Sequence, residues 1–408
     1  MPAPQPVVVT GMGQVSSLGT ALATFSARVL AGQAGVTRLP GLAAPGLADP
    51  IGAAIPDFDP EAWLPARLLP GVGRGTQYAH AAAVQAFAAA GLGRDERPRA
   101  GVFVGTGFGG ILETEETYRR CFDGTGQRPR PNSIPLAMAN APAGFLASEF
   151  RLKGPNLTLS VACASATHAI GQAFRLLRAG EVDLMLAGGC DAPLTPIVLA
   201  AWNSMRVLAP AGADPRRACR PFSRDRQGIV IGEGAGFLVL ETLEHARSRG
   251  ASLLAEVVGY GANADAGHIT HPDLDGITTC MRLALDDARL PHSVVDYVNA
   301  HGTGTAVNDR LEAQAIAALF GARPLVSSTK AVHGHAMGAA GALEALATIL
   351  ALQEGLAPPT ANLEQPDPAL PPLDLVAGTA RRARLEVAVS NSFAFGGNNA
   401  VIVLRRAG

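Results

Sequence analysis

The sequence predicts an α/β protein built in layers around a buried sheet. Three observations carry that expectation. Apolar β-type runs alternate with Ala- and Leu-rich helical runs along the chain. Hydrophobic residues make up 48% of the 408 positions, which by length is core enough for two or three domains. No low-complexity segment interrupts the pattern.

Taken in order, the valine run at 7–10 reads as a strand, 79–90 as an alanine-rich helix, and 101–105 as a second strand. Residues 157–161 form an apolar run that ends at Cys163, and a helix-like run with Ala169, Ile170, Ala173, Phe174 and Leu177 follows it. Residues 184–187 read as a strand and 342–352 as a buried helix. A Gly-rich turn at 232–236 leads into an apolar strand, and another at 396–397 does the same. The order of elements before about Gly250 echoes the order after it, which suggests halves 1–250 and 251–408. Any α/β chain produces such echoes, so pattern alone leaves duplication open. Residues 358–372 are Pro-rich and read as a surface loop, not an interdomain linker.

Charge and cysteine usage narrow the function classes. There are 33 basic and 34 acidic residues, a net charge of −1, so nothing implies nucleic-acid binding. No uninterrupted apolar run reaches the roughly 18 residues of a membrane span. The best stretch, 336–352, is broken by Gly338, Gly341, Glu344 and Thr348. No signal peptide is visible, and five irregularly spaced cysteines fit a reduced cytoplasmic protein better than a disulfide scaffold. No CxxC pair is present, and His333 and His335 alone do not make a metal site.

Cys163 is the most informative residue. It stands where a strand-like run turns into a helix, and exposed N–H groups at a helix start favour a thiolate nucleophile. Two Gly-flanked histidines, His301 in 299–305 and His335 in 328–335, complete a set suited to covalent acyl chemistry. Glycine beside an imidazole permits a tight turn and close substrate approach. Cys121, Cys190, Cys219 and Cys280 read as small core residues. His80, His168, His245, His268, His271 and His292 lack the combination of a loop after a β-rich run with a glycine beside the imidazole.

These segments together resemble the β-ketoacyl-acyl carrier protein synthases of the elongating type. The resemblance runs from Val9-Thr10-Gly11-Met12-Gly13 through 104–107, 154–156, 187–189, the Cys163 turn, 299–305 and 327–335 to 391–398. It implies a thiolase-like fold of two duplicated halves in a five-layered αβαβα arrangement, as a homodimer or as a heterodimer with a related ketosynthase-like subunit. It implies a decarboxylative Claisen condensation in fatty acid elongation, or in a specialised polyketide or aryl-polyene pathway. Cys163 would carry the acyl chain while malonyl-carrier loses CO2. His301 and His335 would donate to the developing enolate, and Lys330 and Glu344 would order the charge around His335. Asp309 would anchor the loop behind His301. Thr303 and Thr305 would bind the phosphopantetheine arm, and the N–H groups of Cys163 and Phe395 would form the oxyanion hole, with Phe395 as gate. Phe108 and Trp202 would line the acyl pocket. No cofactor of the protein's own is implied, since the acyl groups ride on the phosphopantetheine arm of acyl carrier protein. That acidic partner calls for a basic patch, with Arg74, Arg128, Arg130 and Arg206 as candidates beside Arg216, Arg217 and Arg220.

The chain departs from the pattern in places. Ala394 replaces a glycine before Phe395, which narrows the expected freedom of the gate, and Ala331, Val332 and His333 replace a common Ser-Met-Thr. Trp202 is large for its position and presents a face on which a flat, unsaturated chain could stack. Three other readings fit less well. A thiolase needs a second cysteine near the C-terminus, and none follows Cys280. A starter-unit enzyme needs Asn where His335 stands. A silent chain-length subunit lacks the nucleophile.

Overall fold

The computed structural model describes every residue except 1–3, 94, 96, 98 and 125. Eleven strands share one sheet. On the N-terminal side the spatial order is Asn156–Leu159, Ala100–Gly105, Leu184–Asp191, Gly234–Thr242, Val7–Ser16. On the C-terminal side, outward from the centre, it is Ala255–Ala264, Asn398–Arg406, Val387–Ala394, Tyr297–Asn299, Leu325–Ser327, with Asp374–Leu375 added at the edge. Read from the outside inward, both sides run parallel, parallel, antiparallel, antiparallel. The second half thus repeats the strand order of the first. The halves meet at a short antiparallel seam, Val7–Val9 against Ala255–Val257.

Both faces of each half-sheet are covered, and side-chain alternation shows how. Along Leu184–Asp191, Met185 and Ala187 join the core of the central helices, while Leu184, Leu186 and Cys190 face helix Arg74–Ala89. Along Asn398–Arg406, Ala400, Ile402 and Leu404 face the same central core, while Val401 and Val403 pack with helices Leu274–Ala288 and Ala306–Phe320. A sheet buried on both faces needs continuous apolar runs, which is why these strands were legible. Helices Ser165–Arg178 and Ala340–Glu354 form the middle layer and touch strands of both halves. All residues of 340–352 are buried, as expected of a helix apolar on every side. Helix, sheet, helix, sheet, helix gives five layers.

The boundaries differ from expectation where tertiary packing wins. The valine-rich segment 294–298, which alone would read as a strand leading to the His301 loop, opens in a short helical turn, His292–Val294, and only Tyr297–Asn299 is strand. The Pro-rich 358–372 segment is not wholly at the surface, because 358–361 is buried and the Thr360 hydroxyl accepts the Ser328 N–H at 2.9 Å. Among the described residues, no helix is long and apolar enough to cross a membrane.

Candidate active site

Two matching turns deliver the chemistry to one place. Strand Asn156–Leu159 leads to the turn Ala162–Ala164, which carries Cys163 and runs into helix Ser165–Arg178. In the second half, His335 precedes the turn Met337–Ala339, which runs into helix Ala340–Glu354. Ala162 and Met337 both sit at φ 49, a left-handed backbone that non-glycine residues avoid. Strain of this kind is kept where surrounding contacts over-determine it. At Ala162 those contacts come from Ser165, whose hydroxyl accepts the Val161 N–H at 2.9 Å and donates to the Ala162 carbonyl at 2.6 Å.

Cys163, Trp202, His301, Thr303, Thr305, His335 and Phe395 line a single cavity of about 280 Å³. The two imidazoles meet edge to face, with centroids 5.5 Å apart and planes at 87°. Their hydrogen bonds fix the tautomers. His335 Nδ1 accepts the Met337 N–H at 3.2 Å, so its proton sits on Nε2. His301 Nδ1 lies 3.1 Å from Lys330 Nζ, and an ammonium only donates, so His301 also carries its proton on Nε2. Burial, and then the Lys330 charge, hold both imidazoles well below the usual histidine range. Both are therefore neutral N–H donors. Lys330 is fully buried and ion-paired with Glu344. Burial pushes the Glu344 carboxyl up to about 7 even with Lys330 alongside.

The expected thiolate is a correction. Cys163 is 7% exposed, and burial pushes its thiol up to about 11. The Lys330 ammonium and the N–H groups of Phe395 and of Cys163 itself pull the other way without prevailing. The resting nucleophile is a thiol, because desolvation outweighs the helix start. Alkylation of Cys163 by iodoacetamide is accordingly expected to climb about tenfold per unit between roughly pH 7 and 10. A plateau below about pH 9 in that rate profile would show a thiol activated more strongly than this burial permits.

Asp309 accepts the Gly304 N–H of the His301 loop at 3.2 Å and the Phe222 N–H at 2.9 Å. Glu312 went unnoticed in the sequence. Its buried carboxylate takes the N–H groups of His301 and Gly302, both at 2.7 Å, and the Asn391 side chain at 3.1 Å. His271, set aside for want of a glycine neighbour, lines the cavity. Its Nδ1 is 3.0 Å from that of His268.

Other expectations are redistributed. Phe108 does not line the cavity; it packs behind it in an apolar cluster with Met337 and Trp202. Ala394 is the last residue of a strand and has no positive φ, so the alanine restrains nothing there. The turn's freedom belongs to Gly396 (φ 83) and Gly397 (φ 67). Of the basic candidates, Arg206 is exposed between Met205 and Val207, both lining residues. Arg74 is instead committed to the rings of Phe58 and Tyr78, at 5.8 and 5.9 Å, and Arg130 pairs with Glu116 at 3.3 Å. Arg128 is exposed and, like these two, not on the cavity wall. Arg216, Arg217 and Arg220 pair with Asp214, Glu364 and Asp225.

The chain is similar to known proteins along its whole length. Residues 4–246 match the family model "Beta-ketoacyl synthase, N-terminal domain", and 254–364 match "Beta-ketoacyl synthase, C-terminal domain". The chain is 40% identical to a 3-oxoacyl-(acyl-carrier-protein) synthase 2 of Coxiella burnetii, over 98% of each protein. It is 43% identical to Nodulation protein E of Rhizobium meliloti, covering 98% of this chain and 99% of the relative. Among solved structures, "The ishigamide ketosynthase/chain length factor" aligns over 100% of both chains with TM-score 0.93 and 39% identity. A type II PKS ketosynthase in complex with its acyl-carrier protein and bound to a hexaketide aligns over 99% of this chain and 100% of its own, with TM-score 0.90 and 30% identity.

Proposed function

The chain belongs to the beta-ketoacyl synthase family and is an acyltransferase, and from that premise we propose that it elongates fatty acyl chains held on Cys163. The observation that carries the reading is the meeting, in one cavity, of a thiol with two neutral imidazoles whose Nε2–H groups are free to donate.

In the first step Cys163 sulfur attacks an acyl-carrier thioester, forming the acyl-S-Cys163 bond and breaking the bond to the carrier. The exchange consumes one thiol and releases another, so no proton is lost overall. This suits a nucleophile that rests protonated. The N–H groups of Cys163 and Phe395 stabilise the tetrahedral oxyanion. In the second step malonyl-carrier loses CO2, and the electron pair of the broken bond becomes an enolate. The Nε2–H groups of His301 and His335 donate to its oxygen. A neutral imidazole gives a hydrogen bond without protonating the reacting carbon. The enolate carbon then attacks the acyl-Cys163 carbonyl, giving a β-ketoacyl-carrier two carbons longer and expelling the cysteine as a thiolate, which takes up one proton from solvent to regain its resting thiol. Lys330, paired with Glu344, keeps His301 in this tautomer, and the Met337 N–H does the same for His335. Thr303 and Thr305 would hold the phosphopantetheine arm, a reading supported by their hydroxyls lying 3.0 Å apart on the cavity wall. The reaction calls on no cofactor of the protein's own. Incubation with acyl-carrier and malonyl-carrier should release CO2 and form β-ketoacyl-carrier in equal amounts. Transfer of the acyl group without CO2 release would contradict the assignment.

A second reading, a polyketide or polyene pathway, has one observation in its favour. Trp202 stacks on Phe395, with centroids 5.5 Å apart at 26°, so the gate closes against a flat aromatic face. Trp202→Ala is expected to shift loading toward bulkier chains and away from planar ones, with malonyl decarboxylation largely retained. Apolar pockets discriminate by about 1–3 kcal/mol per methylene, so the shift should be graded. Competitive loading of saturated and polyunsaturated acyl-carriers measures it, and an unchanged profile would make Trp202 ordinary packing.

The same reading supplies partners. An acidic acyl carrier protein would meet Arg206 at the cavity mouth. A second copy, or a related ketosynthase-like subunit, would cover the edge strand Asn156–Leu159. Leu157 is 54% exposed there, and Tyr118, Phe122 and Ile134 are 62%, 79% and 73% exposed. Free thiols at all five cysteines support a reducing, cytoplasmic setting.

A further inference from the structure

Asp191 ends strand Leu184–Asp191, and its side chain is buried. Its carboxylate accepts four hydrogen bonds from two different loops. Oδ1 takes the Thr106 hydroxyl at 2.6 Å and the Phe108 N–H at 3.1 Å. Oδ2 takes the Gly107 N–H at 2.8 Å and the Gly338 N–H at 2.6 Å. The glycines make room for it. A Cβ on Gly338 would stand 2.3 Å from the Gly107 nitrogen and 2.6 Å from Asp191 Oδ2.

The two loops joined here have different tasks. The first carries Phe108, whose ring packs in the cluster that also holds Trp202, Leu199 and Met337. The second is the turn after His335, in which the Met337 N–H fixes the imidazole and Gly338 comes next. One carboxylate therefore holds the wall behind the acyl chain and the turn behind a decarboxylation donor. We propose that Asp191 is a positioning residue that locks the Phe108 loop to the His335 turn, so that a chain seated against Trp202, which Phe108 backs in the same apolar cluster, sets the imidazole for decarboxylation. The link rests on the condensation reading above. A charged acceptor is needed because all four partners are donors. An asparagine would keep the shape but turn an NH2 group against one pair of them.

The test counts acylatable Cys163 by mass spectrometry after acyl-carrier treatment. It then measures malonyl-carrier decarboxylation per acylatable site, with and without a chain on Cys163. In Asp191→Asn, acylation should stay within about twofold of the parent protein, while decarboxylation per site falls about tenfold or more, equivalent to roughly 1.4 kcal/mol. The chain on Cys163 should also cease to change the decarboxylation rate. Thr106→Val removes one of the four bonds at nearly constant volume, keeps the proposal testable if the first variant does not fold, and should lower the per-site rate about threefold. Unchanged per-site rates, or acylation and decarboxylation falling by the same factor, would overturn the positioning role. A parent protein that decarboxylates no malonyl-carrier at all would instead overturn the condensation reading.

Discussion

Cys163→Ser is expected to abolish condensation, with a loss on the order of a thousandfold or more. Among the described residues that line the cavity, Cys163 is the one cysteine, and the strained turn at Ala162 presents it. Cys163 rests as a thiol at about 11, yet a serine hydroxyl in the same desolvated place would be harder still to ionise. The fold should survive, because the exchange is nearly isosteric and Ser165, not Cys163, ties the turn together. β-Ketoacyl-carrier formation by the variant, measured against the parent enzyme, checks this. A rate within about tenfold of the parent would remove Cys163 from the mechanism.

His335→Ala separates the two half-reactions. Loading of Cys163 needs the sulfur and the N–H groups of Cys163 and Phe395, all of which remain. Decarboxylation needs donors at the enolate oxygen, and loss of one donor costs about 2.7–4 kcal/mol, or roughly 10²–10³ in rate. The expected outcome is acyl-Cys163 that accumulates while malonyl-carrier persists. Normal CO2 release by this variant would contradict the division of roles. The neutral state of His335 also sets the direction of pH effects. Its imidazole is held well below the usual range by burial and Lys330, so the donor form persists through mildly acidic conditions. A fall in decarboxylation between about pH 7 and 6 would therefore have to come from another group.

What the sequence made legible follows from the kind of signal each residue leaves. Cys163 and the two histidines stand at strand-end turns rich in small residues, and such turns are written locally. The layered α/β character was legible because sheets buried on both faces require apolar runs, whereas the count of five layers came only with the resemblance. Lys330 and Glu344 became meaningful only through the resemblance, since a lysine and a glutamate fourteen positions apart leave no periodic mark, and their pairing depends on how 330–333 meets helix Ala340–Glu354. Glu312 left no mark at all. It sits in the middle of helix Ala306–Phe320 and works on backbone N–H groups, which have no sequence identity. The thiolate expectation failed because a helix start is a local feature, whereas desolvation depends on everything the fold packs around the sulfur. Arg74 and Arg130 have intramolecular partners, Tyr78 and Glu116, that the sequence does not reveal.

The central claim is that Cys163 holds the acyl chain that is then extended. Peptide mass spectrometry after incubation with a panel of acyl-carrier thioesters, followed by a chase with malonyl-carrier, tests it most directly. The account predicts an acyl adduct on Cys163 alone among the five cysteines, which disappears on the chase as a β-ketoacyl-carrier two carbons longer appears. An adduct on another cysteine, or one on Cys163 that survives the chase unextended, would contradict it.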